Sequence, residues 1–310
     1  KDLEKLGYEI ILSNTYHLML RPGEDLIKKM GGLQTFISWQ KPILTDSGGY
    51  QAWSLSRLRK ITEEGINFSS HLDGKKINLT PEYAIKIQEK LNSNISMVLD
   101  ECTEFPASFD RAKESMQLSV RWAERSKNVF KQREGFGLFG IIQGGMYEDL
   151  RKKCTEQLCK IEFDGYALGG LSVGESHDEM KKVIDFSVSN IPEDKPRYLM
   201  GVGRPSDIFC AVERGIDMFD CVLPTRSGRT GLAFTWNGRV QIRNSENKYD
   251  NTPLDKNVSK FDLNKYSKNY LNHLHNTNEM LASMILTLNN INFYQELMYE
   301  IRKNIKMGTF

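Results

Sequence analysis

The chain has 310 residues, of which 39% are apolar and 26% charged, enough to bury a large core in one big α/β domain or two ordinary ones. Its longest apolar runs, such as 139–142, are far too short to cross a bilayer, and no basic-then-apolar secretory pattern opens it, so no membrane partner and a cytoplasmic address are expected. The five cysteines are odd in number and form no CxxC pair, which argues against a disulfide framework and a thiolate metal site; a net charge of +2 does not by itself announce a nucleic-acid partner.

In chain order, short apolar runs at 9–13, 42–45, 96–99, 138–142, 166–169, 197–200 and 218–223 read as strands. Amphipathic stretches at 81–91, 109–133, 147–161, 178–190 and 205–215 read as helices, the first with Thr80 as N-cap and Pro81 at the first helical position. Strand and helix in alternation imply a parallel sheet. Nearly every strand runs into polar or glycine-rich residues, including Asp46, Asp100, Gln143, Gly170, Gly201 and Thr225, and no GxGxxG turn opens a helix. Chemistry gathered at the carboxyl ends of parallel strands favours a (β/α)8 TIM barrel over an open dinucleotide-binding sheet. With seven strands visible and a helix-like start, the first strand is expected to lie upstream of residue 1. The expected domains are a catalytic barrel over 1–233, a small inserted subdomain over 234–290 that carries the alternating piece 239–243, and a closing helix over 291–310.

Three aspartates, Asp46, Asp100 and Asp220, fall at strand ends. Paired carboxylates suit glycosidic chemistry, one attacking the anomeric carbon while another manages the leaving group's proton. Any one of them serves equally well as a helix cap or an Asx turn, and three together shift the balance toward a site. The histidines His17, His71, His177, His273 and His275 pair with no Ser or Cys in a nucleophile motif and read as structural. Arg226, Arg229, Arg239, Arg243 and Lys248, with Trp236 interleaved and only Glu246 opposing, form a basic cluster that fits RNA or a solvated face alike.

The segments Asn14-Thr15-Tyr16-His17-Leu18, Thr45-Asp46-Ser47-Gly48-Gly49-Tyr50-Gln51, Asp100-Glu101-Cys102-Thr103, Ile142-Gln143-Gly144-Gly145, Leu168 through Glu175, Tyr198 through Gly203 and Asp217 through Arg229 closely resemble the bacterial-type queuine/preQ1 tRNA-ribosyltransferase (tRNA-guanine transglycosylase) family, in order along the chain. That resemblance implies a pentosyltransferase that exchanges guanine at the wobble position of tRNAs with a G34 anticodon for a 7-deazaguanine, a step toward queuosine, with no cofactor. It casts Asp220 as nucleophile and Asp46 as general acid/base. Asp100, Gln143 and the Gly170 N–H would read the base edge, with Ser47 beside them, and Tyr50 and Met200 would sandwich the ring. Thr225, Arg226 and Arg229 would hold RNA. Val173 and Cys102 favour preQ1 over the bulkier queuine, with the Leu171 carbonyl and Glu175 near its ammonium group.

One departure stands out. The family's structural zinc has its ligands at positions matching Val258, Lys260, Leu263 and Asn289, so the metal is expected to be absent and apolar packing to substitute for it. Tyr266, Tyr270 and His273 match aromatic positions of the family's homodimer contact, although a core helix accounts for their spacing too. Two other readings are a non-catalytic tRNA-binding subunit of a transglycosylase complex and a barrel glycoside hydrolase. The first leaves the three retained aspartates unexplained, the second the Gly169-Gly170 motif and Arg226 with Arg229.

Overall fold

The computed structural model describes residues 1–55, 59–258 and 260–310. They divide into two compact units, one made of Glu9–Val202 and Cys210–Asp220, the other of Lys1–Tyr8, Gly203–Phe209 and Cys221–Phe310.

The strands, numbered along the chain, are β1 (Ile11–Ser13), β2 (Ile43–Thr45), β3 (Arg59–Ile61), β4 (Ile66–Ser69), β5 (Lys76–Leu79), β6 (Ile95–Met97), β7 (Gly137–Ile142), β8 (Gly165–Leu168), β9 (Arg197–Leu199), β10 (Met218–Phe219), β11 (Leu232–Thr235) and β12 (Gly238–Gln241). In the first unit, a seven-stranded parallel sheet runs β1-β2-β6-β7-β8-β9-β10. Neighbours in the sheet follow one another in the chain, with no reversal of order. That is the winding of a TIM-type barrel and differs from a doubly wound sheet, whose order switches direction at its ligand crevice. All seven expected strands are present. Their apolar residues, among them Ile141, Ile142, Ala167, Leu168 and Leu199, are buried against helix residues such as Met116, Leu158 and Val183. A parallel strand covered in this way reads as a continuous apolar run, which is why these were visible in the sequence.

The helices Pro81–Leu91, Phe109–Val129, Glu148–Ile161 and His177–Val188 stand where periodicity places them. The Thr80 hydroxyl accepts from the Tyr83 N–H at 3.1 Å, closing the expected cap. One expectation fails at its end: the strand at 218–223 stops at Phe219, and Leu223–Arg229 is helical. Pro224 explains the change, since it has no N–H for a sheet ladder but suits a helix's first turn. The antiparallel sheet β3-β4-β5 was not expected at all.

In the second unit, β11 and β12 pair antiparallel, so the alternating piece near 239–243 is a strand. Ala233, Ile242, Val258, Leu263, Leu271 and Leu286 form its core together with residues of the helices Lys268–Asn276 and Met280–Met307. Within it the buried Asn290 donates to the carbonyls of Pro224 and Leu232, both at 2.9 Å, and accepts from the Phe234 N–H at 2.8 Å. Among the described residues no helix is long and apolar enough to cross a membrane.

Candidate active site

Asp46 leaves the carboxyl end of β2 and is held from two sides. Asn14 caps the helix Thr15–Leu20 with its Oδ1, while its Nδ2 donates to Asp46 Oδ2 at 2.6 Å; the Thr15 N–H donates to Oδ1 at 2.8 Å. Burial pushes the Asp46 carboxyl up to about 7, and the negative charge of Asp220 adds to the push against the opposing N–H groups of Thr15 and Gly48 and the Gln51 side chain. A carboxyl poised near neutrality can both give and take a proton.

Asp220 directly follows β10 and is half-buried. The Tyr198 hydroxyl donates to its Oδ1 at 2.6 Å and the Gly201 N–H donates to the same oxygen at 2.8 Å. Among the described residues both bonds fall on Oδ1, which leaves Oδ2 open to attack an electrophile. The buried Tyr198 phenol is raised well above its usual range by burial and by the Asp220 charge, so it is a hydroxyl donor at any working pH.

Asp100, just beyond β6, is 8% exposed, and burial lifts its carboxyl to about 6, with Gln143 opposing the shift. Its placement comes from the next residue. Glu101 donates its N–H to the Ser119 hydroxyl at 2.9 Å, accepts at its carbonyl from Ser115 at 3.1 Å, and binds Arg111 through its carboxylate at 2.5 Å. Residues 111, 115 and 119 lie four apart on one face of the helix Phe109–Val129, so a single helical stripe grips one residue by its amide, its carbonyl and its side chain.

Gln143 follows β7 and is 1% exposed; its Nε2 donates to Asp100 Oδ2 at 2.7 Å and retains a second proton, while its Oε1 has no partner among the described residues. The glycines after β8 exist to let that side chain in. A Cβ on Gly169 would stand 2.7 Å from Gln143 Nε2, and one on Gly170 2.6 Å from Oε1, where φ is +66° as well. A cavity of about 230 Å³ opens beside them, lined by Thr103, Phe105, Gln143, Tyr147, Gly170 and Val173.

The β2 loop joins the Asp100–Gln143 pair to Asp46. Ser47 is buried and its hydroxyl accepts from the Gly49 N–H at 3.3 Å, and a Cβ on Gly49 would lie 3.1 Å from the Asp100 carbonyl. Tyr50 is 47% exposed at the start of the helix Gly49–Leu55, and Met200 is half-buried just past β9. Cys102 is buried, which pushes its thiol up to about 12 and keeps it protonated. Leu171 is buried, and the Glu175 carboxylate accepts from the N–H groups of Ser172, Val173 and Gly174, pinning the loop that carries Val173. In the second unit, Arg226 and Arg229 are exposed one turn apart on the helix Leu223–Arg229, and Thr225 bonds the Val222 carbonyl within it at 3.3 Å.

The family model described as "Queuine tRNA-ribosyltransferase" matches residues 1–310. The chain belongs to the queuine tRNA-ribosyltransferase family. A queuine tRNA-ribosyltransferase of Zymomonas mobilis is 56% identical over 308 residues, covering 98% of this chain and 80% of the relative. Those of Rickettsia massiliae and Marinobacter nauticus are each 54% identical, covering 99% and 100% of this chain and 85% and 83% of the relatives.

The residues at this family's zinc positions do not fit a metal. Val258 and Leu263 are buried in the apolar core of the second unit, Lys260 donates to the Leu6 carbonyl at 3.0 Å, and Asn289 to the Phe234 carbonyl at 2.9 Å. Two aliphatic side chains, an ammonium and an engaged amide offer no tetrahedral donor set. Sequence reasoning missed Asn14, Tyr198, Arg111, Ser115 and Ser119 as parts of the site. The cap position of Asn14 and the four-residue spacing of the helical stripe were the available signals.

Proposed function

We propose that this transglycosylase of queuosine synthesis works through Asp220, with Asp46 as its proton carrier and Asp100 as its base reader. The observation that carries the reading is the pair Asp46 and Asp220: two carboxylates near enough to raise one of them, one poised to titrate and the other with one oxygen fully engaged and the second open. Asp220 Oδ2 attacks C1′ of the G34 ribose as the bond from C1′ to N9 breaks, and its electron pair leaves with guanine, which takes a proton from Asp46. The incoming 7-deazaguanine then gives its N9 proton to Asp46 and attacks C1′, displacing the ester. Two inversions restore the β-nucleoside and regenerate both carboxyl groups.

Asp100 as carboxylate accepts from N1–H and the 2-amino group, while the free Gln143 Nε2 proton and the Gly170 N–H point to O6. Tyr50 and Met200 cover the ring faces of a base splayed out of the anticodon loop, and Arg226, Arg229 and Thr225 hold flanking RNA. Val173 on the cavity wall and the buried Cys102 favour preQ1 over queuine. The second unit folds without zinc on its apolar core, and a homodimer through the Tyr266, Tyr270 and His273 face matches the family resemblance.

Incubation with tRNA and labelled guanine tests the reading. Incorporation, and a denaturant-resistant protein–RNA adduct that vanishes in Asp220→Asn, are expected. An adduct that persists removes Asp220 from its role, and tRNA binding without incorporation favours a non-catalytic subunit.

A further inference from the structure

Arg151, in the helix Glu148–Ile161, is 0% exposed, and the proposed chemistry does not use it. A guanidinium taken fully out of water is costly unless its protons are satisfied, and it is normally paired with a carboxylate. Among the described residues its hydrogen-bond partners are main-chain carbonyls. Nε donates to Gly145 at 2.7 Å, Nη1 to Ile142 at 3.3 Å and Nη2 to Gly169 at 2.9 Å. Burial lowers its pKa only to about 10, so it keeps its charge at neutral pH.

Those carbonyls are not arbitrary. Ile142 ends β7 directly before Gln143, Gly145 lies two residues after Gln143, and Gly169 directly precedes Gly170. In a trans peptide the C=O and N–H point in opposite directions, so the plane whose oxygen faces Arg151 turns the Gly170 N–H away from it. A charged donor on that oxygen also polarises the peptide and strengthens its N–H as a donor.

We infer that Arg151 is a positioning residue, which orients and polarises the Gly169–Gly170 peptide so that the Gly170 N–H reads O6 of the base. The inference rests on the proposed reading of Gly170 as the O6 donor. Two features support a directed role over plain packing. The guanidinium spans both strand ends that carry base-edge groups, and it packs directly against this peptide, Nη2 lying 3.6 Å from where a Gly170 Cβ would stand.

The experiment compares guanine with 6-thioguanine, which keeps N1–H and the 2-amino group but replaces O6 by a weaker acceptor, as competing bases in the exchange assay. Wild type is expected to prefer guanine. Arg151→Lys, with folding followed by Tm, is expected to raise the guanine KM about tenfold and to cut the preference severalfold, while Asp100-dependent discrimination against adenine persists. Wild type with no preference for guanine sinks the Gly170 reading itself. A preference that survives in a folded Arg151→Lys protein overturns the Arg151 role alone. Should the variant not fold, arginine-labelled wild type carries the test by NMR: guanine binding is expected to shift the Arg151 guanidinium signals, and unmoved signals overturn the inference.

Discussion

The Tyr198 hydroxyl and the Gly201 N–H meet on one oxygen of Asp220, at 2.6 and 2.8 Å, so the carboxylate is fixed in rotation with a single face open. Tyr198→Phe removes one of the two restraints without touching the base pocket. A hydrogen bond to a charged group contributes about 1.5–3 kcal/mol, so kcat is expected to fall roughly tenfold to a hundredfold with the guanine KM unchanged. Steady-state exchange kinetics check this, and a kcat within twofold of wild type would refute it.

Asp46 and Asp100 set opposite limbs of the pH profile. Burial raises both: Asp46, at about 7, must hold its proton in the proposed guanine release, so adduct formation is expected to slow as pH climbs through that value. Asp100, at about 6, must be ionised to accept from the base, so the guanine KM rises as pH falls below it. Single-turnover adduct formation against pH is expected to lose its alkaline limb in Asp46→Asn. In Asp100→Asn, weak guanine binding is expected at every pH.

Gly169→Ala places a methyl 2.6 Å from Ile141 Cγ2 and 2.7 Å from Gln143 Nε2. Neither the buried Ile141 side chain nor the buried amide can retreat cheaply, and overpacking of this kind costs about 1–3 kcal/mol. A lowered Tm and a guanine KM raised more than tenfold are expected, since displaced Gln143 lets go of Asp100. Thermal melts with inhibition by free guanine measure both, and an unchanged KM would show that the base does not depend on Gln143.

Leu263, which the family resemblance matches to a zinc-ligand position, is buried in the core of the second unit. Leu263→Ala is expected to cost about 2–4 kcal/mol through the cavity it leaves. Chelator is expected to leave the wild-type Tm unmoved, and elemental analysis to find no stoichiometric metal. One zinc per chain would refute the packing account.

Much of this was legible because parallel strands buried on both faces declare themselves as apolar runs, and Asp46, Asp100 and Asp220 stand at their ends. The sheet β3-β4-β5 was not legible. Its buried residues Ile66, Phe68 and Leu79 alternate with polar ones such as Asn67 and Asn78 in a polar stretch, so no continuous apolar run marks them. Tyr198 was quoted within a motif, yet nothing local says that its hydroxyl reaches a carboxylate 22 residues on. Glu101 likewise stood only inside a motif, and the fold reveals it as a handle by which a helix holds Asp100.

Asn290 has a wider consequence. A single amide, 0% exposed, bonds to both ends of the segment that carries Arg226 and Arg229. The two arginines therefore travel as one rigid pair with the helix Met280–Met307, like prongs on a common handle. A neutral substitution at residue 290 would loosen the segment that carries them without removing a charge, and tRNA affinity would then change while the salt dependence of binding stayed the same.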